Sequence, residues 1–443
     1  MAEPRRSPRR RRPLPLPAAA LLVAALGPVP AGGPPTARAQ MLGTHMDAIA
    51  LEPARGGPVT GWTIAADLIG GGSVNWRTLA VMHIAMHDAL NAAEPRHARA
   101  TPPAPGEPTG ALAAAADAPE LAMAAAAYQV LLARHPEQAP LVGDPLFRRV
   151  HAAAPAGPAR AAAVELGAAI GLAAAERYRA STAPPTPFPQ GTEPGRWRPT
   201  PPFRLASAVG DARPFLFGAA EALRGPPPPA LGSPDYVAAV EEVRRLGDDR
   251  SRERTAEQTA AAEFWGGQTS QRGFLHLAVR LVAEHPPPGG LWEEARGMAL
   301  LTMALADSYI LAWDMKRRYA FWRPITAINE GGHGVAADPG WYPLLPTPPH
   351  PDYPSGHAAD CATGAHLLQG LFGDAVREVA YTAVDAARRP TRRYPSLAAA
   401  AEECAASRLW AGAHFRPANE EGLRIGRLIA ERALTALPPL PPR

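Results

Sequence analysis

Three short segments in the C-terminal half of the chain carry residues whose types and spacing suit the binding of a tetrahedral oxyanion. Together they supply cations, hydroxyls, two imidazoles and the start of a helix. Their residues are Lys316, Arg323 and Pro324; Ser355, Gly356 and His357; and Ser407, Arg408 and His414. Arginine can bond two anion oxygens at once, and the backbone N–H groups at the start of a helix also attract anions. The combined set therefore predicts a site for a phosphate-like group.

Lys316 is the only lysine among the 45 lysine and arginine residues of the chain. Because arginine is used at every other basic position, this one indicates a need for a compact ammonium rather than a planar guanidinium. Glycine at position 356 would let a ligand approach the backbone closely. Of the two histidines, His357 and His414, one can bond the central atom as a ligand or nucleophile while the other transfers protons.

Helices are predicted to hold all three segments. Hydrophobic residues, mostly alanine, make up 47% of the 443 residues and aromatic residues only 6%, which favours packed helices over sheets. Residues 291–318 are predicted to form a long helix that carries the lysine near its end. Gly412 predicts a break between Arg408 and His414, and Pro417 predicts the first turn of a new helix that ends near residue 434.

Further helices are predicted on both sides of a proline-rich segment. They cover residues 63–70, 76–93, 111–134, 160–180, 235–246, 255–265 and 272–284. Residues 184–229 show no period and are predicted to run over the surface in extended form. This segment predicts a division of the mature chain into two helical halves, residues 40–200 and 201–443, with the oxyanion site in the second half.

Two further features leave a choice between a chemical and a structural role. His83 and His87, with Asp88 beside them, have the i, i+4 spacing of metal ligands on one helix. Without a third ligand from another part of the chain, a structural role is favoured. Cys361 and Cys404 lie close in sequence to the site segments. Either a disulfide or two buried free thiols fits these cysteines.

Residues 1–39 are predicted to be an export signal. A charged run at residues 5–12 precedes an apolar run at 18–26 and a small-x-small pattern at 37–39. The paired arginines suit the twin-arginine route, so we expect a periplasmic or extracellular protein. Without this segment the chain is nearly neutral, so no nucleic-acid partner is expected, and no later apolar run predicts a membrane span.

In this order and at these spacings, the three site segments resemble the vanadium-dependent haloperoxidases and their relatives in the type 2 phosphatidic acid phosphatase superfamily. The shared pattern is Lys, six residues, Arg-Pro; then Pro-Ser-Gly-His; then Ser-Arg, five residues and His. Segments such as AMHDALNA and GAHFRPANEEGL extend the likeness to bacterial proteins of this type over residues 46–434. The resemblance implies an all-α fold of two four-helix bundles, with the site in the second bundle.

The resemblance also implies a cofactor and a role for each site residue. Vanadate, which contains vanadium(V), would be held through its oxygens by Lys316, Arg323, Ser355, Gly356 and Arg408. His414 would coordinate the vanadium, and His357 would act as acid and base at the vanadate. Lys316, His357 and His414 would be the catalytic residues. Hydrogen peroxide would oxidise halide to hypohalous acid, while the organic halogen acceptor and homo-oligomer formation stay open.

Two features bear on the substrate. Trp313 and His350 resemble halide-pocket residues, and the histidine resembles bromide-oxidising members, so bromide is expected, although ordinary packing fits both residues as well. Relatives often carry Asp four residues after the coordinating histidine, where this chain has Ala418. Such a carboxylate would orient the imidazole, and its absence disfavours nucleophilic chemistry. An acid phosphatase that uses His414 as nucleophile, and a binding protein without turnover, stand as alternatives.

Overall fold

The computed structural model of the protein describes residues 58–69, 76–103, 107–179, 183–203, 208–209, 212–266, 270–382 and 391–441. Within these residues the chain forms fourteen helices and two short two-stranded sheets. The prediction of an all-α fold is therefore confirmed. The predicted export signal lies outside the described residues.

Six helices precede the proline-rich segment and eight follow it in the described part of the chain. The first six are α1 Pro58–Ile69, α2 Trp76–Ala93, α3 Leu112–Ala115, α4 Pro119–Arg134, α5 Ala139–Ala153 and α6 Pro158–Arg179. The others are α7 Pro234–Gly247, α8 Ala256–Gly266, α9 Ser270–Glu284, α10 Leu291–Tyr319, α11 Pro324–Glu330, α12 Gly356–Phe372, α13 Leu397–Trp410 and α14 Arg416–Leu434. Strand β1 Thr186–Pro187 pairs antiparallel with β2 Ala208–Val209, and β3 Val379–Tyr381 with β4 Arg392–Tyr394.

Helix α10 packs against helices from both parts of the chain. On one side it contacts α2, which packs in turn against α4 and α6. On the other side it contacts α12 and α14, and α13 packs against both of these. Much of α10 is buried, including Leu300, Leu301 and Leu305, so this helix holds the C-terminal helices against the N-terminal ones. The predicted division of the chain at residue 200 stays a prediction.

Glycines on α14 let it lie very close to α12. A Cβ atom at Gly422 would be 2.5 Å from the carbonyl oxygen of Ser355, and one at Gly426 would be 2.5 Å from that of Ala359. Any larger residue at either position would push the helices apart. Because both contacts advance in the same direction along the two helices, α12 and α14 run parallel. Their N-termini, each with a partial positive charge, therefore lie side by side.

Most predicted helices agree with the structure to within a few residues, but two predictions fail. The single helix predicted at 111–134 is interrupted before Pro119, which starts α4 as the first residue of a new helix. Helix α5 was not predicted, and it carries Pro145 in its interior. In the first case alanine on both sides of the break masks the boundary, since alanine favours helix equally on either side; in the second, two prolines and a glycine within α5 disfavour helix locally.

The proline-rich segment lies against the end of α10. Phe188 and Trp197 are almost fully buried. The backbone N–H of Trp197 donates to the carbonyl of Ala320 at 2.8 Å, and that of Trp322 donates to Gly195 at 3.0 Å. The segment therefore helps to fix the chain that links Lys316 to Arg323.

The histidines and the aspartate of α2 make structural contacts. The His83 ring lies 3.1 Å from the hydroxyl of Thr63, and His87 donates to a backbone carbonyl at 3.0 Å. The Asp88 carboxylate accepts from the N–H and the hydroxyl of Thr101, at 3.0 and 2.6 Å. Burial lowers the pKa of His83 to about 3, so its ring is neutral. These contacts support the structural interpretation of the three residues.

Among the helices of the described residues, two are long and apolar enough to cross a membrane by length and composition. They are α6 and α10, and α10 is mostly buried inside the protein. A core helix of a globular protein has the same properties, so this observation is weak evidence for a membrane span. The absence of a span in the mature chain stays a prediction.

Candidate active site

The three predicted segments meet where α10, α12, α13 and α14 begin or end. Lys316 lies in the last turn of α10, and Arg323 immediately precedes α11. Ser355 is the N-cap of α12. Arg408 lies in the last turn of α13, and His414 follows in the turn before α14. That turn contains Gly412 with φ of +72°, as the sequence predicted for a break between the two helices.

Lys316 is fully buried and bonded to backbone carbonyls. Its Nζ donates to the oxygens of Pro351, Asp352 and Pro354 at 2.7, 3.0 and 2.6 Å. Burial, helped by the charge of Arg323, holds its pKa well below the usual value. All three ammonium protons are thus used to fix the loop that leads into α12, a structural task that the sequence did not predict.

Arg323 is also fully buried, and it joins two site segments. Its Nη1 donates to the carbonyl of Ala413 at 2.7 Å and lies 2.9 Å from Nε2 of His414. Its Nε and Nη2 donate to the carbonyl and Nδ1 of His350, at 2.8 and 3.0 Å. Burial lowers the pKa of this guanidinium to about 10, so it stays charged at neutral pH.

His414 lies between a guanidinium and a carboxylate. Its Nε2 faces Arg323, while its Nδ1 lies 2.9 Å from Oδ1 of Asp352, with an angle outside that of an ordinary hydrogen bond. Both side chains are almost fully buried. Burial and the nearby Arg323, Lys316 and Arg408 charges hold the pKa of His414 well below its usual value, so the imidazole is neutral.

Arg408 brings a buried positive charge with free donors. Among the described residues, its Nε and Nη1 are buried and have no hydrogen-bond partner. Its backbone carbonyl accepts from the N–H groups of Ala413 and His414 at 3.0 and 3.2 Å, which fixes the turn that presents the histidine. Burial lowers the pKa of the guanidinium to about 10, so it stays charged. A buried cation with unpaired donors needs an anion.

The start of α12 lies beside the start of α14. The N–H of Ser355 donates to the carbonyl of Ala418 at 2.8 Å, and its Oγ accepts from Ala358 at 3.4 Å. A Cβ atom at Gly356 would be 2.9 Å from Cζ3 of Trp313, so this glycine makes room for the indole. His357 follows in the first turn and is partly exposed. The backbone N–H of Gly356, in that first turn, is one of those that an α-helix leaves without an internal acceptor.

Trp313 and His350, the predicted halide-pocket residues, are brought together at this site. Their ring centroids are 5.1 Å apart, and the Trp313 ring also stacks on Tyr309 at 4.1 Å. Nζ of Lys316 is 5.7 Å from the centre of the Trp313 ring. Within the described part of the chain, the indole N–H has no hydrogen-bond partner although it is buried. Burial, with the Lys316 and Arg323 charges, keeps the pKa of His350 well below its usual value.

A buried polar cluster around Asp360 lies one turn beyond His357. Its Oδ1 accepts from Ser308 and Gln271 at 2.7 and 2.9 Å, and its Oδ2 accepts from Ser270 at 2.9 Å. These bonds join α9, α10 and α12 behind the site. Burial raises the pKa of Asp360 to about 7, although the hydrogen bonds oppose this shift.

A disulfide joins Cys361 on α12 to Cys404 on α13. The sequence left this question open, and the structure answers it in favour of the bond. Cys361 lies four residues after His357, and Cys404 lies four residues before Arg408. The cross-link is therefore one helical turn from two residues of the site.

Asp352 and Asp360 were missed by the sequence prediction. They lie three residues before Ser355 and three residues after His357, so both flank the Pro-Ser-Gly-His segment. Their position beside this segment was the sequence feature that could have identified them as site residues. Whether a flanking carboxylate faces the site depends on the loop path and on the helix face, which the spacing alone does not specify.

Comparison with known proteins connects this site to one family. Residues 296–438 match the family described as the VCPO second helical-bundle domain. The vanadium chloroperoxidase of Curvularia inaequalis is 28% identical over 162 residues, which cover 30% of this chain and 27% of that protein. The chain thus aligns with about a quarter of the length of this curated relative.

Solved structures extend the likeness to most of the chain. A bacterial vanadium-dependent iodoperoxidase has a TM-score of 0.67 at 22% identity, covering 91% of this chain and 97% of the other. The apo form of a bacterial vanadium-dependent chloroperoxidase has a TM-score of 0.58 at 20% identity, covering 81% of this chain and 92% of the other. The predicted resemblance is confirmed: this chain is related to the vanadium haloperoxidases, by sequence over its C-terminal helices and by fold over most of its length.

Proposed function

We propose that the protein is a vanadate-dependent haloperoxidase that oxidises halide, preferably bromide, with hydrogen peroxide to hypohalous acid. The observation that carries the proposal is the buried guanidinium of Arg408, with two donor nitrogens unpaired among the described residues. Such a group destabilises the protein unless an anion reaches it. The site around it has the composition that an oxyanion requires.

The charges of the site fit vanadate. Arg323 and Arg408 are buried guanidinium cations, and Nζ of Lys316 is buried with them; the carboxyl of Asp352 lies 3.9 Å from Nη1 of Arg323, and burial raises its pKa to about 7. A bound oxyanion would offset the remaining positive charge. The lone pair on Nε2 of His414 supplies a ligand for a metal centre, and imidazole is a common metal ligand.

Each residue then has a definable task. Arg323, Arg408, Ser355 and the amide of Gly356 would hold vanadate oxygens, and His414 would bind vanadium through Nε2. When bound, vanadate supplies Lewis-acid activation of hydrogen peroxide toward attack by halide. His357, partly exposed at the start of α12, would exchange a proton with solvent and with the bound group. Lys316 would reach an oxygen only by releasing one of its three carbonyl acceptors.

The halide preference rests on the Trp313–His350 pair. Nδ1 of His350 accepts from Arg323, so the proton of this neutral ring resides on Nε2. The indole N–H of Trp313 is buried and unpaired within the described residues. Two N–H donors on polarisable rings suit a large, weakly hydrated halide.

We expect His350→Phe to change the ratio of kcat/KM for bromide to that for chloride roughly tenfold, as loss of one hydrogen bond would do. An unchanged ratio would exclude His350 from halide selection.

One pair of assays tests the proposed function. In the first assay, vanadate-free protein receives vanadate, hydrogen peroxide and bromide, together with a cyclic diketone that loses absorbance when it is brominated. In the second assay, the protein receives a chromogenic phosphate ester without vanadate. Vanadate-dependent bromination is the expected result. Ester hydrolysis inhibited by vanadate would instead support an acid phosphatase. That second candidate draws on the contact between Asp352 and His414, since a carboxylate also activates a nucleophilic histidine. Vanadate binding without either activity would indicate a binding protein.

Export is proposed as well, from the N-terminal sequence. The disulfide between Cys361 and Cys404 supports it, because disulfides persist in oxidising compartments and are rare in the cytosol. Detection of the protein in the periplasmic or culture fraction, with the first 39 residues removed, is the expected observation. A protein that keeps these residues inside the cell would contradict it.

A further inference from the structure

His414, in the turn before α14, has no carboxylate at the position four residues later. Position 418, four residues after His414, is an alanine that is fully buried among apolar residues. The first turn of α14 contains no acidic residue. The backbone carbonyl of Ala418 is not free to contact the imidazole, because it accepts from the N–H of Ser355 at 2.8 Å. The first turn of α14 therefore offers no carboxylate to the imidazole.

A carboxylate reaches His414 from a different element. Oδ1 of Asp352, in the loop between α11 and α12, lies 2.9 Å from Nδ1 of His414. The loop is fixed at this residue from two directions, because the carbonyl of Asp352 accepts from Lys316 at 3.0 Å and its N–H donates to Phe321 at 2.9 Å. The carboxylate also lies 3.9 Å from Nη1 of Arg323. The backbone of Asp352 is thus fixed independently of the imidazole.

The two neighbours of His414 select one tautomer of its ring. Nη1 of Arg323 is always a donor, so Nε2, 2.9 Å away, must present its lone pair. In a neutral ring the proton then resides on Nδ1, which faces Oδ1 of Asp352 at 2.9 Å, and a small rotation of either side chain would turn this approach into a hydrogen bond. The arrangement prepares Nε2, rather than Nδ1, to act as a ligand.

We propose that Asp352 is the positioning residue of His414: it faces the Nδ1–H of the tautomer that Arg323 selects, and so directs the Nε2 lone pair at the bound oxyanion. The carboxylate comes from the loop before α12, in place of one on α14. Lys316 contributes indirectly, since it fixes the backbone that carries the carboxylate. The identification of the ligand as vanadate rests on the proposed function, whereas the tautomer assignment does not.

The test compares Asp352→Ala, Asp352→Asn and the exposed control Asp117→Ala. The first readout is the ¹⁵N spectrum of the His414 ring without vanadate, where the wild type is expected to show an Nδ1–H resonance shifted by the nearby carboxylate; Asp352→Ala should lose that shift while Arg323 keeps the tautomer. The second is vanadate affinity by calorimetry. We expect it to fall about 10- to 100-fold in Asp352→Ala, as for other groups that orient metal-binding histidines. Asp117→Ala should match the wild type in both measurements.

Further arms separate positioning from folding. Asp352→Asn keeps the shape of the side chain, and we expect it to fold with the wild-type melting profile while still losing vanadate affinity. Moving the carboxylate, by combining Asp352→Ala with Ala418→Asp, is expected to restore part of the lost affinity. Wild-type vanadate affinity and an unchanged ¹⁵N spectrum of His414 in both Asp352 variants would overturn the proposal. A wild type that binds no vanadate would refute the proposed function, while the ¹⁵N spectrum would still test the role of Asp352.

Discussion

Nη1 of Arg323 lies 2.9 Å from Nε2 of His414, so a buried guanidinium occupies the lone pair that is proposed to bind vanadium. Vanadate binding must therefore exchange this contact for bonds from both groups to the anion. His414→Ala should remove the metal ligand and reduce vanadate affinity by at least 100-fold, because the remaining cations offer only hydrogen bonds and charge. Calorimetric titration of vanadate-free protein measures the loss.

The exposed His285, which follows α9, provides the matched control for this substitution. His285→Ala should bind vanadate like the wild type. Full affinity in His414→Ala would show that the ligand has been assigned to the wrong residue. If His414→Ala binds phosphate and vanadate equally weakly, the remaining cations still attract oxyanions but no longer supply a metal ligand.

Arg408→Met should separate stability from binding. The guanidinium is buried with two donors unpaired in the described part of the chain, so its loss should leave the vanadate-free protein as stable as the wild type, or more stable. Vanadate affinity should fall about 10- to 100-fold, because hydrogen bonds to charged groups contribute about 1.5–3 kcal/mol. Thermal melting with and without vanadate measures both effects, and the exposed Arg149→Met is the control. A lower melting temperature without vanadate would instead indicate a structural cation.

The meeting of the three segments could be predicted from sequence because each lies at a helix end, and the breaks at Gly412 and before Ser355 are encoded locally. The contact between Asp352 and His414 could not. It depends on the path of an aperiodic loop and on three hydrogen bonds that Lys316 donates to that loop. The sequence had led us to expect that Lys316 would face the anion directly. Likewise, Gly356 was expected to admit a ligand, but its missing side chain makes room for Trp313.

Loss of the disulfide should weaken both the fold and the site. Cys361 and Cys404 join α12 to α13, and removal of a native disulfide typically costs about 2–4 kcal/mol. The double variant Cys361→Ala, Cys404→Ala should therefore have a lower urea midpoint. Vanadate affinity should also fall, because His357 and Arg408 each lie one turn from the bond. A reducing agent should shift the wild type toward the double variant and leave the variant itself unchanged; an equal midpoint in all samples would contradict the prediction.

Asp307, fully buried on α10 nine residues before Lys316, should give the protein a pH-dependent stability. Its two carboxylate oxygens accept from the N–H groups of Phe215 and Leu216 at 2.7 and 2.8 Å, which anchors the proline-rich segment to α10. Burial raises its pKa to about 7, although these bonds and the charge of Arg77 oppose the shift. An aspartate in the unfolded chain has a pKa of about 3.9.

Between these two pKa values the folded protein binds more protons than the unfolded chain, so stability falls as the pH rises from about 4 to about 7. Asp307→Asn cannot titrate, and it leaves one of the two N–H donors facing an amide NH₂ group, which should cost about 1–3 kcal/mol. The free energy of unfolding of the wild type should therefore exceed that of the variant most at pH 4, and the difference should shrink toward pH 7. Urea unfolding at several pH values measures it, with the exposed Asp117→Asn as control. A difference that stays constant with pH would show that Asp307 does not titrate in this range.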